Sequence, residues 1–191
     1  GDFQERPLHP RWFELENSFI LPAGGGYMAL TKEEVEKGGL LWPVVTVATA
    51  VAETESQMLY QLAEPAAGEW PAATAESELL SFHGAEINAE EAGVVEITSY
   101  WSVLGETERA WKIFVHLLDG NGEIVAQGDR LLVWSPAWRV GDRLGQVERV
   151  VWPAEGEVAQ IMIGVYDSDS GQRQVFTNID SGVATESISV R

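Results

Sequence analysis

Three places in this 191-residue chain gather side chains of the types that do chemistry. His116 and Asp119 close one apolar stretch, but alternation along a strand puts them on opposite faces, and a catalytic His needs a partner within hydrogen-bond reach. With only His9, His83 and His116 in the chain, and no Gly-x-Ser-x-Gly elbow, His116 reads as a half-buried sheet residue satisfied by a neighbour. Asp119-x-Asn121 and Asp167-x-Asp169 open in the manner of calcium loops. Neither supplies both the Gly at the sixth position and the Glu at the twelfth, so both read as Asp-rich tight turns, and no metal ligand set is expected. The 30 acidic residues single out no carboxylate pair for glycoside hydrolysis. No catalytic residue and no cofactor is assigned.

The third place is aromatic. Trp134 and Trp138 fall between Asp129 and Asp142, beside Arg130 and Arg139. Sugar binders grip a pyranose through apolar contact with an aromatic face and a few oriented polar groups. Trp134, Trp138, Arg130 and Asp129 are therefore the candidate carbohydrate-binding residues. Leu131-Leu132-Val133-Trp134 is an apolar insertion in a connection expected to be polar, and it must either fold back or present a patch. For Trp138 the alternative is a plug at the end of the fold.

The elements that position these residues are strands. Trp111, Ile113, Val115 and Leu117 alternate with Lys112, Phe114, His116 and Leu118. Asp119-Gly120-Asn121-Gly122 then supplies residues that tolerate positive φ, and Glu123 to Gln127 restarts the alternation as the second arm of a hairpin. Eight short strands are expected from residue 78 on, at 79–87, 94–101, 111–118, 123–127, 146–152, 158–166, 172–176 and 184–190. That spacing predicts a mainly β fold, an antiparallel β-sandwich of the Ig-like or jelly-roll kind. The inward faces are expected to carry Val95, Ile97 and Trp101, then Trp111 to Leu117, then Ala159, Ile161, Ile163 and Val165.

Upstream, residues 1–12 read as an arm or linker. Residues 13–62 give strand, strand, helix, strand, strand, a small α/β or α+β unit. Its helix starts at a capping box, Thr31-x-x-Glu34, and stops at Gly38-Gly39. Pro22-Ala-Gly-Gly-Gly26 is a turn, since the Lys-Ser/Thr of a phosphate loop is missing. The Ala/Pro/Glu-rich stretch 63–77 reads as a linker before the sandwich at 78–191.

Composition bounds the partners. Thirty acidic residues against 12 basic give a net charge of −18, which argues against nucleic acid and anionic membrane surfaces. Forty-five per cent hydrophobic residues and eight Trp suffice for a sizeable core. Without Cys there is neither a disulfide framework nor thiol chemistry. No apolar run approaches the roughly 18 residues of a membrane span, so direct membrane insertion is not expected. The N-terminus lacks a signal peptide's basic and apolar regions, and Gly1 suits the residue left when a longer, anchored chain is trimmed.

One order of motifs stands out: Tyr100-Trp101, Phe114-Val-His-Leu-Leu-Asp119, Gly122-Glu-Ile-Val-Ala-Gln-Gly-Asp129, Trp138-Arg-Val-Gly-Asp142 and Gly164-Val-Tyr-Asp-Ser-Asp-Ser-Gly-Gln-Arg173. It resembles the C-terminal β-sandwich domain of large membrane glycosyltransferases of the protein O-mannosyltransferase or arabinosyltransferase type (family 39-like), abundant in Chloroflexi. About half the chain carries the resemblance well. Arg11-Trp12 and Phe19-Ile-Leu-Pro-Ala-Gly24 extend it upstream, and Arg130 to Ala137 depart from it. The resemblance implies an extracytoplasmic, bacterial, noncatalytic accessory domain, since the membrane helices and acidic catalytic loop of such enzymes are missing from this chain. Its partners would be a cell-envelope glycan or the membrane-embedded part of the same protein. A structural or protein-interaction domain with no ligand of its own is the alternative.

Overall fold

The alternation at Trp111–Leu118 is realised as a strand with Trp111, Ile113, Val115 and Leu117 buried on one face. The computed structural model describes residues 17–37, 48–64, 70–91, 93–130, 133–153 and 158–190. In chain order its elements are β1 (Ser18–Leu21), β2 (Gly26–Thr31), α1 (Lys32–Lys37), β3 (Ala48–Glu53), β4 (Gln57–Leu62), β5 (Ala75–Glu76), β6 (Leu80–Glu91) and β7 (Val94–Val103). Then follow β8 (Trp111–Leu118), β9 (Ile124–Arg130), a 3-10 turn at Ser135–Ala137, β10 (Arg143–Val151), β11 (Gln160–Asp167), β12 (Phe176–Asn178), β13 (Ala184–Thr185) and β14 (Ile188–Val190). Among the described residues no helix is long and apolar enough to cross a membrane.

The fold is mainly β, with antiparallel pairing throughout. A seven-stranded sheet runs β1-β10-β7-β6-β5-β12-β13, and a four-stranded sheet runs β14-β11-β8-β9. Their facing sides close one core, in which Phe82, Ile97 and Trp101 from the large sheet meet Ile113, Leu117 and Ile163 from the small one. Burying each such side chain contributes about 1.5–3 kcal/mol. Of the expected inward residues only Ala159 is exposed; it precedes β11, which starts one residue later.

The chain also departs from expectation at its end. Gln172 to Val175 form no named strand, apart from an isolated bridge between Arg173 and Tyr166. The segment expected as one strand at 184–190 is two, and it changes sheet between Thr185 and Ile188. Thr185 Oγ1 donates to the Ser187 carbonyl at 2.8 Å across that corner.

Upstream, the expected order of strands and helix holds, and the capping box is made: the Thr31 N–H donates to Glu34 Oε2 at 2.7 Å, and the Glu34 N–H to Thr31 Oγ1 at 3.1 Å. The stop at Gly38-Gly39 lies outside the described residues. Strands β2, β4 and β3 form a third sheet, whose Met28, Leu30, Tyr60 and Leu62 pack with Phe19 and Leu21.

Two elements cross the boundary that composition suggests at 63–77. Strand β1 pairs with β10, Phe19 opposite Gly145, as an edge of the seven-stranded sheet. Strand β5, inside the Ala/Pro/Glu-rich stretch, pairs with both β6 and β12. The same stretch carries Trp70, which packs edge-on against Phe19, His83 and Tyr100 with the Arg143 guanidinium 5.4 Å from its ring. His83 Nδ1 donates to the Pro71 carbonyl, and its Nε2 accepts from Ser102, so this histidine ties the segment to the sheet. Composition averages over the one large anchor that matters.

The close approach of β1 to β10 depends on Gly145, because a Cβ there would lie 2.1 Å from the Phe19 ring. Gly145→Ala is expected to cost about 1–3 kcal/mol, the usual range for overpacking. Gly24→Ala, where a Cβ meets nothing within 4 Å, is the neutral control. Urea unfolding of the two variants checks this; equal midpoints would refute the proposed packing of β1.

Candidate functional site

The four-stranded sheet has one face on the core, and its outward face carries a cleft of about 200 Å³. Register decides what lines it. Phe114 stands opposite Asp129 of β9 and Gly164 of β11, and His116 opposite Gln127. Opposed residues share a face, so Asp129 and Gln127 point outward with His116 and Phe114.

Phe114 is the floor. A Cβ on Gly164 would lie 2.3 Å from its ring, so the glycine lets the phenyl lie flat across β11. His116 covers it at 4.5 Å between ring centroids, and the Arg173 guanidinium lies 4.8 Å from its centroid. The result is an aromatic on the outward face that is nonetheless 2% exposed.

Arg173 is delivered by the hairpin that follows β11. The Asp167 carboxylate accepts from the Asp169 N–H at 2.9 Å, the Gly171 N–H donates to the Asp167 carbonyl at 2.8 Å, and Gly171 takes φ +71°. The Gln174 N–H closes the hairpin on the Val165 carbonyl at 2.8 Å. Opposite, the Tyr166 hydroxyl donates to Asp129.

These neighbours set the protonation states. Burial, and then the Arg173 charge, hold His116 below its ordinary value, with Asp129 acting the other way. At neutral pH the imidazole is therefore uncharged and offers one donor and one acceptor. Burial, and then the Asp129 carboxylate, push the Tyr166 hydroxyl up to about 12. The cleft thus presents a cation, a carboxylate held by a phenol, a neutral imidazole and the Gln127 amide.

The residues singled out for sugar contact are divided by the fold. Asp129 lies in the cleft. Arg130, its neighbour in β9, turns to the opposite face, where its Nε is 3.8 Å from the buried Glu148 carboxylate. Trp138 is 2% exposed and belongs to the core, so it plugs the sandwich instead of facing a ligand. Arg130 and Trp138 do meet, but at an internal cavity of about 10 Å³, room for roughly one water molecule.

Trp134 is 49% exposed. The insertion it belongs to splits: Val133 folds into the core and Trp134 faces outward, while Leu131 and Leu132 lie outside the described residues. Ser135 fixes the turn, its hydroxyl donating to the Arg109 carbonyl at 2.7 Å and accepting from the Trp111 N–H at 2.8 Å.

The Asp-rich turns spend their carboxylates on backbone. Asp119 Oδ1 accepts from the Asn121 N–H at 2.8 Å and the Glu123 N–H at 2.9 Å, which holds the carboxyl below the usual carboxylate range. Asp167 is lowered by its own backbone donors, and Arg109 adds to them. Among the described residues no three His, Asp or Glu gather to hold a metal ion.

Residue reasoning by itself passed over His116, Gln127, Tyr166 and Arg173 as a site. The signal was nevertheless in the motif order: Phe-x-His, Gln-x-Asp and Tyr-Asp-x-x-x-Gly-x-Arg are soft one by one, and the register folds them onto one cleft. Compared with protein families, curated proteins and solved structures, the chain matches none of them.

The lowered groups fix the pH response. Each binds its proton more weakly folded than unfolded, so its stabilising contribution is present above the unfolded value and lost as pH falls. For His116 the loss begins near pH 6.5, and for Asp119 and Asp167 near pH 3.9. Urea midpoints should fall in two arms on acidification, and His116→Gln should remove the upper one. A midpoint unchanged between pH 7 and pH 5 would contradict this assignment.

The two tryptophans separate by stability. Trp138→Ala should cost roughly 3–5 kcal/mol, whereas Trp134→Ala should stay within about 0.5 kcal/mol. Thermal or urea denaturation reads the difference, and comparable losses would put Trp134 in the core.

Proposed function

We propose that this chain is a noncatalytic accessory β-sandwich that holds a sugar-sized polar ligand on the outward face of its four-stranded sheet. The observation that carries the reading is the convergence of His116, Gln127, Asp129, Tyr166 and Arg173 on one cleft of about 200 Å³. Drug-sized ligands occupy pockets of roughly 300–1,000 Å³, so this cleft suits a single ring. A hydroxylated ring needs donors and acceptors together. Asp129 only accepts, Arg173 only donates, and the Gln127 amide and neutral His116 do both.

The chemistry of the lining favours binding over turnover. Hydrolysis of a glycosidic bond uses two carboxyl groups about 5–9.5 Å apart. The cleft lining contains one, Asp129, which is already engaged by Tyr166, and it contains neither Ser nor Cys as a nucleophile. The resemblance supplies the setting: an extracytoplasmic domain beside an envelope glycosyltransferase, with a cell-envelope glycan as ligand.

A second reading has its own observation. Trp134 and Val140, 49% and 58% exposed, flank the 3-10 turn with apolar surface. That suits contact with another protein surface, including the membrane-embedded part of the same protein.

Titration of the chain with neutral and acidic mono- and oligosaccharides, followed by NMR, tests the two readings. Perturbed resonances should cluster at 114–116, 127–129 and 166–173. Gln127→Ala, at an exposed position, should weaken binding by about 1 kcal/mol, or roughly five-fold, without changing stability. Binding lost in Trp134→Ala but kept in Gln127→Ala would move the site to the loop. Absence of sugar binding altogether would leave the interaction reading.

A further inference from the structure

We infer, on the basis of the carbohydrate reading of the cleft, that its ligand is an anionic sugar whose negative group is held by Arg173. The shared chemistry is an oxyanion carried on a sugar ring, either the carboxylate of a uronic acid or a phosphate ester.

The first observation is where the positive charge of an acidic chain goes. With 30 acidic residues against 12 basic, almost any exposed cation lies near a carboxylate. Lys32, Arg109, Arg130, Arg139 and Arg149 each have a carboxylate oxygen within 3.9 Å. Among the described residues Arg173, like Lys112, forms no ion pair, although Asp129 lines the same cleft. Its guanidinium is instead spread over the Phe114 ring.

The second observation is that Arg173 is held in place before any ligand arrives. Its backbone bridges to Tyr166, and the hairpin that carries it is fixed by the Asp167 turn. A guanidinium held over an aromatic ring by cation–π attraction still has N–H donors to offer, and its planar fork matches an oxyanion in a bidentate way.

The third observation concerns the local field. The Asp129 carboxylate accepts the Tyr166 hydroxyl and, among the described residues, forms no ion pair with Arg173. Of the two charges beside His116, that of Arg173 bears on the imidazole more than that of Asp129. The repulsion of an anion by the remaining surface is screened over about 8 Å at physiological salt, whereas a contact with Arg173 is not.

The test uses three probes on the full chain at physiological salt: glucose, glucuronate and glucose 6-phosphate, titrated by NMR. At least one anionic probe should bind about ten-fold more tightly than glucose. Arg173→Gln should bring that ratio to about one while lowering the melting temperature by no more than about 2–4 °C, the scale of one exposed cation–π contact. Arg173→Lys, which keeps the charge and loses the fork, should fall between. Which anionic probe wins separates a uronate from a phosphate ester. Glucose binding as tightly as both anions would overturn the inference and leave the proposed function standing. An anion preference that survives Arg173→Gln would also overturn it, because the charge would then be read elsewhere. Failure of all three probes and of the oligosaccharides would remove both the inference and the carbohydrate reading.

Discussion

The architecture depends on one sheet being buried on both sides. On β7 and β10, Trp101, Leu144 and Val150 belong to the core shared with the four-stranded sheet, while Tyr100 of β7 packs against the cluster of the small three-stranded one. Strand β1 follows the same rule within four residues, with Ile20 in the first cluster and Phe19 and Leu21 in the second. Strand β1 stands at the edge of the seven-stranded sheet, and the three-stranded sheet covers the face that carries Phe19 and Leu21. That is why the N-terminal unit is integral to the sandwich, although its sequence reads as a separate piece.

The four-stranded sheet has the opposite condition. Among the described residues only its inner face is covered, so its outer face is free to be polar, and its side chains can serve a ligand at little cost to the core. Phe114 breaks that polarity and organises the cleft. Seated against Gly164 and roofed by His116 and Arg173, it is a local core on the wet side of the sheet. The groups that cover it are titratable or charged, so the packing that hides the ring also places them. Structure and site share the same contacts here, and the pH dependence of His116 follows from burial more than from any single charge.

Much of this was legible in the residues. Alternation found β8 to the residue, and the Thr31–Glu34 capping box found the helix start, because both signals are local in sequence. The spread of turns gave the fold class. What stayed hidden was non-local. The pairing of β1 with a strand more than a hundred residues away depends on Phe19 fitting over Gly145, and neither residue announces the other. Trp134 and Trp138, four positions apart, looked like one site, yet a 3-10 turn between them sends one to solvent and the other to the core. Asp129 and Arg130, adjacent in sequence, read as polar flanks of one site, yet consecutive residues of a strand face opposite sides.

That opposition ties the interior to the cleft. On its inner face β9 places Ala126, Gly128 and Arg130 opposite Leu117, Val115 and Ile113. Gly128 leaves room for the Glu148 carboxylate, which would lie 2.9 Å from a Cβ at that position. Glu148 is 1% exposed, accepts from the Gln146 amide at 3.1 Å, and has Arg130 beside it. A buried carboxyl of this kind is a poor source of stability, but breaking its contacts is costly, so it opposes a change of register. A slip of β9 by one residue would turn Arg130 to solvent, bring Asp129 inward against Glu148, and remove the acceptor from Tyr166. The bulge between Leu117 and Leu118 absorbs the extra residue near the hairpin before the register reaches Gln127 and Asp129. The buried carboxylate inside the sandwich and the exposed one in the cleft are thus two ends of a single constraint: glycine at 128 and arginine at 130 hold the strand so that aspartate at 129 faces out.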